Sequence, residues 1–326
     1  MKYRLFGQTG LRVSELLLGT MVFQDRAEAS RIVGTYADAG GNVLDTASAY
    51  GDSETILGDI LADTDTNRDR FVLATKYTLS RDAADPNGAG NHRKNLRLSL
   101  ERSLQRLRTD HVDIFWVHIW DRHTPVEETM RALDDAVSAG KILYVGISDA
   151  PAWVVAHANT LAHLRGWTPF AGIQVPYNLL KRDIERELLP MAETFGLSVA
   201  AWAPLAAGKL VGGSRVQPDA HELPAIEALK TIAAELGATP AQVALAWTRA
   251  KSPTVLPIIG ISSATQLTDN LGALDLELPP EAIAELDTAT NFEIGFPGDF
   301  IAQCEPSAFV FGDNATKVGP RLPRLS

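Results

Sequence analysis

The apolar and polar positions of this chain repeat as a unit: a short, nearly unbroken apolar run, a stretch with helical periodicity, then often a glycine. Apolar runs at residues 15–20, 42–45, 71–76, 112–118, 142–148, 172–177, 198–203 and 254–260 predict strands. Amphipathic stretches at about 28–38, 53–62, 93–107, 126–138, 152–164, 184–194 and 223–236 predict the helices between them. A further helix is expected at about 240–250, one beginning near Ser263, and a short one at about 280–289 ahead of a C-terminal tail. Gly40, Gly140, Gly196 and Gly237 follow predicted helices, where a left-handed residue turns the chain into the next strand. Before the repeat, residues 3–6 and 11–13 flank a Gly-containing turn and predict a β-hairpin.

Strands that are apolar on both faces and alternate with amphipathic helices belong to a parallel sheet covered on both sides. Eight such units predict an α/β fold, a closed (β/α)8 TIM barrel with an N-terminal hairpin and extra C-terminal helices and tail. A doubly wound open sheet is the alternative, but no G-x-G-x-x-G follows the first strand. No linker composition interrupts the pattern, so residues 1–326 are expected to form a single domain.

In a barrel of this kind chemistry gathers at the C-terminal ends of the strands. There the second strand ends in Asp45 with Tyr50 in its loop, the third in Lys76, the fourth in His118, and the fifth in Ser148 and Asp149. Gln174 and Trp202 mark the sixth and seventh. Each has a plain structural reading as well: Asp45 as a cap, Lys76 as a boundary charge, His118 as a core histidine, Tyr50 as packing. Together, on three successive strand ends, they make an acid–base set. A tyrosine titrates near 10; an adjacent lysine cation is expected to lower that value, a carboxylate to hold the lysine, and a histidine to orient a carbonyl oxygen. None of these residues is a hydride donor, so carbonyl reduction here requires a cofactor.

Composition narrows the classes without choosing among them. The chain has 326 residues, 45% hydrophobic and 21% charged, with a net charge of -10. That balance argues against nucleic-acid binding, which favours a basic patch. No run approaches the ~20 apolar residues of a membrane span. The one cysteine, Cys304, permits no internal disulfide or cysteine zinc cluster. A cytoplasmic protein is expected. His118, Asp121 and His123 lack a third strong ligand and are read as loop residues, so no metal is expected.

The motifs Leu18-Gly19-Thr20-Met21, Asp45-Thr46-Ala47 with Tyr50-Gly51, Ala74-Thr75-Lys76, Val117-His118, Gly146-Ile147-Ser148, Gln174-Val175 and Trp202-Ala203-Pro204-Leu205 together resemble the aldo-keto reductase family. Within it, the resemblance is to the branch of aryl-alcohol dehydrogenase-like reductases and potassium-channel β-subunits. It implies an NAD(P)H-dependent oxidoreductase reducing aldehydes or ketones to alcohols, with Asp45, Tyr50, Lys76 and His118 as catalytic tetrad and Tyr50 as general acid. The channel-subunit likeness leaves an alternative: a cofactor-binding regulatory subunit with secondary reductase activity.

The resemblance also implies a nicotinamide dinucleotide across the barrel mouth, touching Gly19, Thr20, Met21 and Asp45. Ser148, Asp149 and Gln174 match carboxamide-binding positions, although the family usually has Asn where Asp149 stands. Trp202 matches the aromatic stacked on nicotinamide. Ala203, Pro204, Leu205, Gly208 and Leu210 match the pyrophosphate loop, and Gly260, Ser262, Gln266 and Asn270 the adenosine end. Ser262 stands where the family commonly has the Arg that pairs with the 2′-phosphate of NADPH. NADPH is expected by resemblance, with NADH possible for lack of that charge-assisted contact; Lys209 is a candidate substitute cation. Phe23, Tyr77 and Trp120 are candidates to line a substrate pocket, along with the tail around residues 296–311. The expected partner is a small carbonyl compound.

Overall fold

The computed structural model describes residues 1–63, 67–213, 217–317 and 319. Strands β1 (Tyr3–Leu5) and β2 (Arg12–Ser14) form the antiparallel hairpin. The eight strands that follow are β3 (Leu17–Gly19), β4 (Val43–Asp45), β5 (Val72–Tyr77), β6 (Val112–Val117), β7 (Ile142–Ser148), β8 (Phe170–Pro176), β9 (Ser198–Trp202) and β10 (Val255–Gly260). They close in sequence order into a parallel barrel, with β10 pairing β3. The closed barrel, rather than the open sheet, is what the chain forms.

Strand geometry alternates side chains between two faces, and the two apolar cores follow that alternation. Val43, Val72, Ala74, Ile114, Trp116, Ala200, Leu256 and Ile258 fill the barrel interior, while Leu44, Leu73, Phe115, Val117, Val145, Ile173, Val199 and Ile259 pack outward on the helices. The hairpin closes the N-terminal end. Phe6 enters the interior core and meets the edge of Trp116 with ring centroids 5.9 Å apart. The two rings need room that only missing side chains provide. A Cβ at Gly146 would lie 2.3 Å from the Trp116 ring, and one at Gly172 2.8 Å from Phe6. The barrel is therefore solid below its mouth.

The outer layer contains α1 (Arg26–Asp38), α2 (Ser53–Leu61), α3 (Arg93–Leu107), α4 (Val126–Ser138), α5 (Ala152–Arg165), α6 (Leu188–Phe195), α7 (Leu223–Glu235), α8 (Pro240–Ala250) and α9 (Ala264–Leu271). α10 (Pro280–Ala289), α11 (Gly298–Cys304) and α12 (Ala308–Phe311) follow. One expected helix differs. Residues 184–194 form a 3-10 turn at Asp183–Glu185 and then α6. The restart puts Pro190 in the first turn of α6, where its missing N–H is not needed. No helix among the described residues is long and apolar enough to cross a membrane.

Candidate active site

The strand alternation that buries Val43, Ala74 and Trp116 inside the barrel brings Asp45, Lys76 and His118 inward two residues later, at the mouth. The same parity selects Gly19, Ser148, Gln174, Trp202 and Gly260 on the other strands. Asp45 pairs in register with Ala74, and Lys76 with Trp116. Three ionisable groups are thus gathered by backbone register alone.

Lys76 is fully buried, which is costly for an ammonium unless it is paired and hydrogen-bonded. Its Nζ lies 2.5 Å from Asp45 Oδ2 and donates to the Thr46 carbonyl at 2.8 Å. Asp45 Oδ1 accepts from Gln174 Nε2 at 2.9 Å. Gln174 therefore commits an amide N–H to Asp45, a role the sequence did not suggest, while its side-chain carbonyl oxygen accepts no hydrogen bond among the described residues. Beneath the pair, Ser53 Oγ lies 2.7 Å from Thr20 Oγ1 and 3.0 Å from Thr46 Oγ1. Thr20 is thereby buried and committed to packing the loop rather than presented at the mouth.

Tyr50 is set by the tight turn after β4, where its N–H donates to Ala47 and its carbonyl accepts from Ser53. Its ring lies 4.8 Å from Lys76 Nζ and meets the His118 ring edge-on, centroids 5.8 Å apart. Burial pushes the phenol above its ordinary value and outweighs the opposing pull of the Lys76 cation; Asp45 and Asp149 add to the rise. The expected lysine effect is present, but the net shift is upward, not downward. His118 is half-buried, and burial together with the Lys76 charge pushes its imidazole down to about 3. It is neutral at ordinary pH, and its buried Nδ1 has no partner among the described residues. A protonated phenol, a neutral imidazole and a fixed cation at one opening can deliver a proton to a carbonyl oxygen while orienting it.

Around this centre the chain offers a surface suited to an extended dinucleotide. Trp202 is 37% exposed although its strand neighbours are buried. Its indole N–H donates to Asp149 Oδ1 at 3.2 Å. After it, Ala203, Ala206, Ala207 and Gly208 all have positive φ. Leu205, at φ −100°, precedes Ala206, at φ 50°; an alternation of this kind turns successive N–H groups toward one concavity, a setting for an anion. Asn178, unremarked in the sequence for this purpose, fixes the turn by donating its Nδ2 to the Ala203 carbonyl at 2.9 Å. The buried Asn270 Nδ2 has no partner among the described residues. Nearby, Gln266 Oε1 accepts from Ser262 N and Oγ at 3.0 and 3.1 Å. These features fit a bound dinucleotide: an exposed aromatic face, an amide-lined turn and an orphaned amide donor.

Several expected contacts are placed elsewhere. Leu210 is fully buried and Pro204 is buried, so both belong to the loop's packing. Phe23 and Tyr77 lie in the core rather than on a pocket wall; Tyr77 stacks on Phe115 and donates its hydroxyl to Asn91. Trp120 is partly buried and abuts Trp153, which is exposed. Lys209 is not a free cation, since both Glu222 oxygens lie 2.9 Å from its Nζ. Asp121 accepts from Asn91, His123 and Thr124, binding its loop together. A groove of about 730 Å³ lined by Gln8, Tyr144, His163 and Phe195 lies at the other end of the strands and contains none of the ionisable groups above. The chemistry, not the size of the hollow, identifies the site.

The chain as a whole is similar to known proteins. Residues 15–291 match the model of the aldo/keto reductase family. A norsolorinic acid reductase of Aspergillus flavus is 38% identical over 94% of this chain and 85% of its own length. A norsolorinic acid reductase of Emericella nidulans is 41% identical over 90% of this chain and 82% of its own. A putative aryl-alcohol dehydrogenase of Saccharomyces cerevisiae is 35% identical over 92% and 89%.

Proposed function

The chain belongs to the aldo/keto reductase family, and we propose that it reduces a bulky aldehyde or ketone to the alcohol with Tyr50 as general acid. It is an oxidoreductase, and carbonyl reduction is the activity its relatives' names describe. The observation that carries the residue assignment is the buried Lys76–Asp45 pair beneath Tyr50. A nicotinamide cofactor, bound at the mouth, would supply the hydride. Tyr50 then gives its phenolic proton to the carbonyl oxygen, and Lys76 stabilises the phenolate left behind. His118, neutral, orients that oxygen. Asp45 holds Lys76 in place and keeps it charged.

Trp202 is read as the platform for the nicotinamide, the Ala203–Gly208 turn as the seat of the pyrophosphate, and Ser262, Gln266 and Asn270 as the adenosine end. Ser148 and Gln174 meet the carboxamide, Gln174 through its carbonyl oxygen. NADPH is the cofactor we assign by family. Ser262 offers no charge to a 2′-phosphate and Lys209 is already paired, so NADH is admitted as well.

The substrate class follows from the rim. Met21, Val22, Leu79 and Ile119 are exposed apolar side chains on the loops after β3, β5 and β6, and Trp153 is exposed at the start of α5. A wide apolar rim suits an aromatic carbonyl compound, in keeping with a relative named as a putative aryl-alcohol dehydrogenase. The reading takes residues 1–326 as one domain in the cytoplasm. Steady-state turnover of NADPH and NADH against aromatic aldehydes and ketones tests it; binding of neither dinucleotide would refute it.

A further inference from the structure

We infer that Asp149 biases the bound cofactor toward its oxidised form and so makes its reduced form a stronger hydride donor. This rests on the reading above that the nicotinamide lies at Trp202.

Asp149 follows Ser148, the last residue of β7, and has a left-handed backbone at φ 45°. That turn brings its carboxylate to the mouth, where Oδ1 accepts from Trp202 Nε1 at 3.2 Å. The other charges at the mouth compensate one another, Lys76 against Asp45. Asp149 has no ion-pair partner among the described residues and adds one uncompensated negative charge. Burial pushes the Asp149 carboxyl above its ordinary range, opposed by hydrogen bonds from Trp202 and Ser148 and by the Lys76 cation, and its charge adds in turn to the rise of the Tyr50 phenol.

The two forms of a nicotinamide cofactor have nearly the same shape but differ by one charge on the ring. The oxidised ring is a cation and the reduced ring is neutral. An acceptor for the indole N–H requires only an oxygen, which asparagine would supply equally well. A carboxylate adds a preference for the cationic ring. In a partly solvated opening, one such charge pair corresponds to roughly tenfold in affinity. By linkage, tighter binding of the oxidised form shifts the on-enzyme equilibrium toward hydride donation by the same factor. No atom or proton beyond those of carbonyl reduction is involved.

The test compares dissociation constants of NADP+ and NADPH, and of NAD+ and NADH, for the parent protein and for Asp149→Asn, by calorimetry or tryptophan-fluorescence quenching. Asparagine tolerates the left-handed backbone and keeps the acceptor, so folding and the Trp202 contact are preserved. Asp149→Ser is a second neutral variant. Both should weaken the oxidised form roughly tenfold relative to the reduced form, with the reduced form little changed. An unchanged ratio, including an equal loss for both forms, overturns the inference while the proposed function stands. Failure of the parent protein to bind either dinucleotide overturns both.

Discussion

Lys76 Nζ and Asp45 Oδ2 lie 2.5 Å apart with both side chains withdrawn from water. The pair fixes an ammonium 4.8 Å from the Tyr50 ring centroid. Removing one partner strands the other charge. Lys76→Met is expected to lower stability by about 3–5 kcal/mol, read as a lower denaturation midpoint in urea. A Lys76→Met, Asp45→Leu double variant should recover part of that loss while remaining inactive. Equal stability of Lys76→Met and the parent protein would show that the pair is not buried as described.

His118 should stay neutral over the whole working range. Its folded value of about 3 lies below the ordinary 6.5. Between those values the unfolded chain binds more protons than the folded one, so stability falls as pH drops from about 6.5 toward 3. Imidazole NMR shifts followed against pH check this; titration of His118 near 6.5 would contradict it.

The Tyr50 phenol is shifted upward, so its acid form persists through neutral pH. Carbonyl reduction by the cofactor-loaded enzyme is expected to be insensitive to pH between about 6 and 9 and to decline only near or above the ordinary tyrosine value of about 10. A descending limb near neutrality in the initial rate of reduction would place the proton donor elsewhere.

Ser262 sets the cofactor preference. Ser262→Arg should tighten NADPH by roughly ten- to a hundredfold through a charge-assisted phosphate contact and leave NADH nearly unchanged. Paired titrations with the two reduced cofactors measure the selectivity. No change in the NADPH-to-NADH ratio would remove Ser262 from the adenosine end.

The barrel was legible in the sequence because eight apolar runs alternate with amphipathic stretches, and Asp45, Lys76 and His118 because each closes such a run. What the sequence did not reveal depends on side-chain direction and competition for partners. Tyr77 and Phe23 resembled pocket residues, yet burial in the outer core removes them from the mouth. Lys209 carries the right charge for a phosphate, but thirteen residues on Glu222 takes it. The upward shift of Tyr50 required knowing that burial outweighs one nearby lysine. Pro190 could have located the restart of α6, since a helix spanning residues 184–194 would put it in the interior.

The most direct test is Tyr50→Phe, which removes one hydroxyl and keeps the ring beside Lys76 and His118. Cofactor dissociation constants and turnover with an aromatic aldehyde are measured together. The account predicts cofactor binding within about threefold of the parent protein and turnover reduced by roughly 10²–10⁴-fold, the range for a lost general acid. Turnover equal to the parent's, with binding intact, would contradict the role of Tyr50 as proton donor.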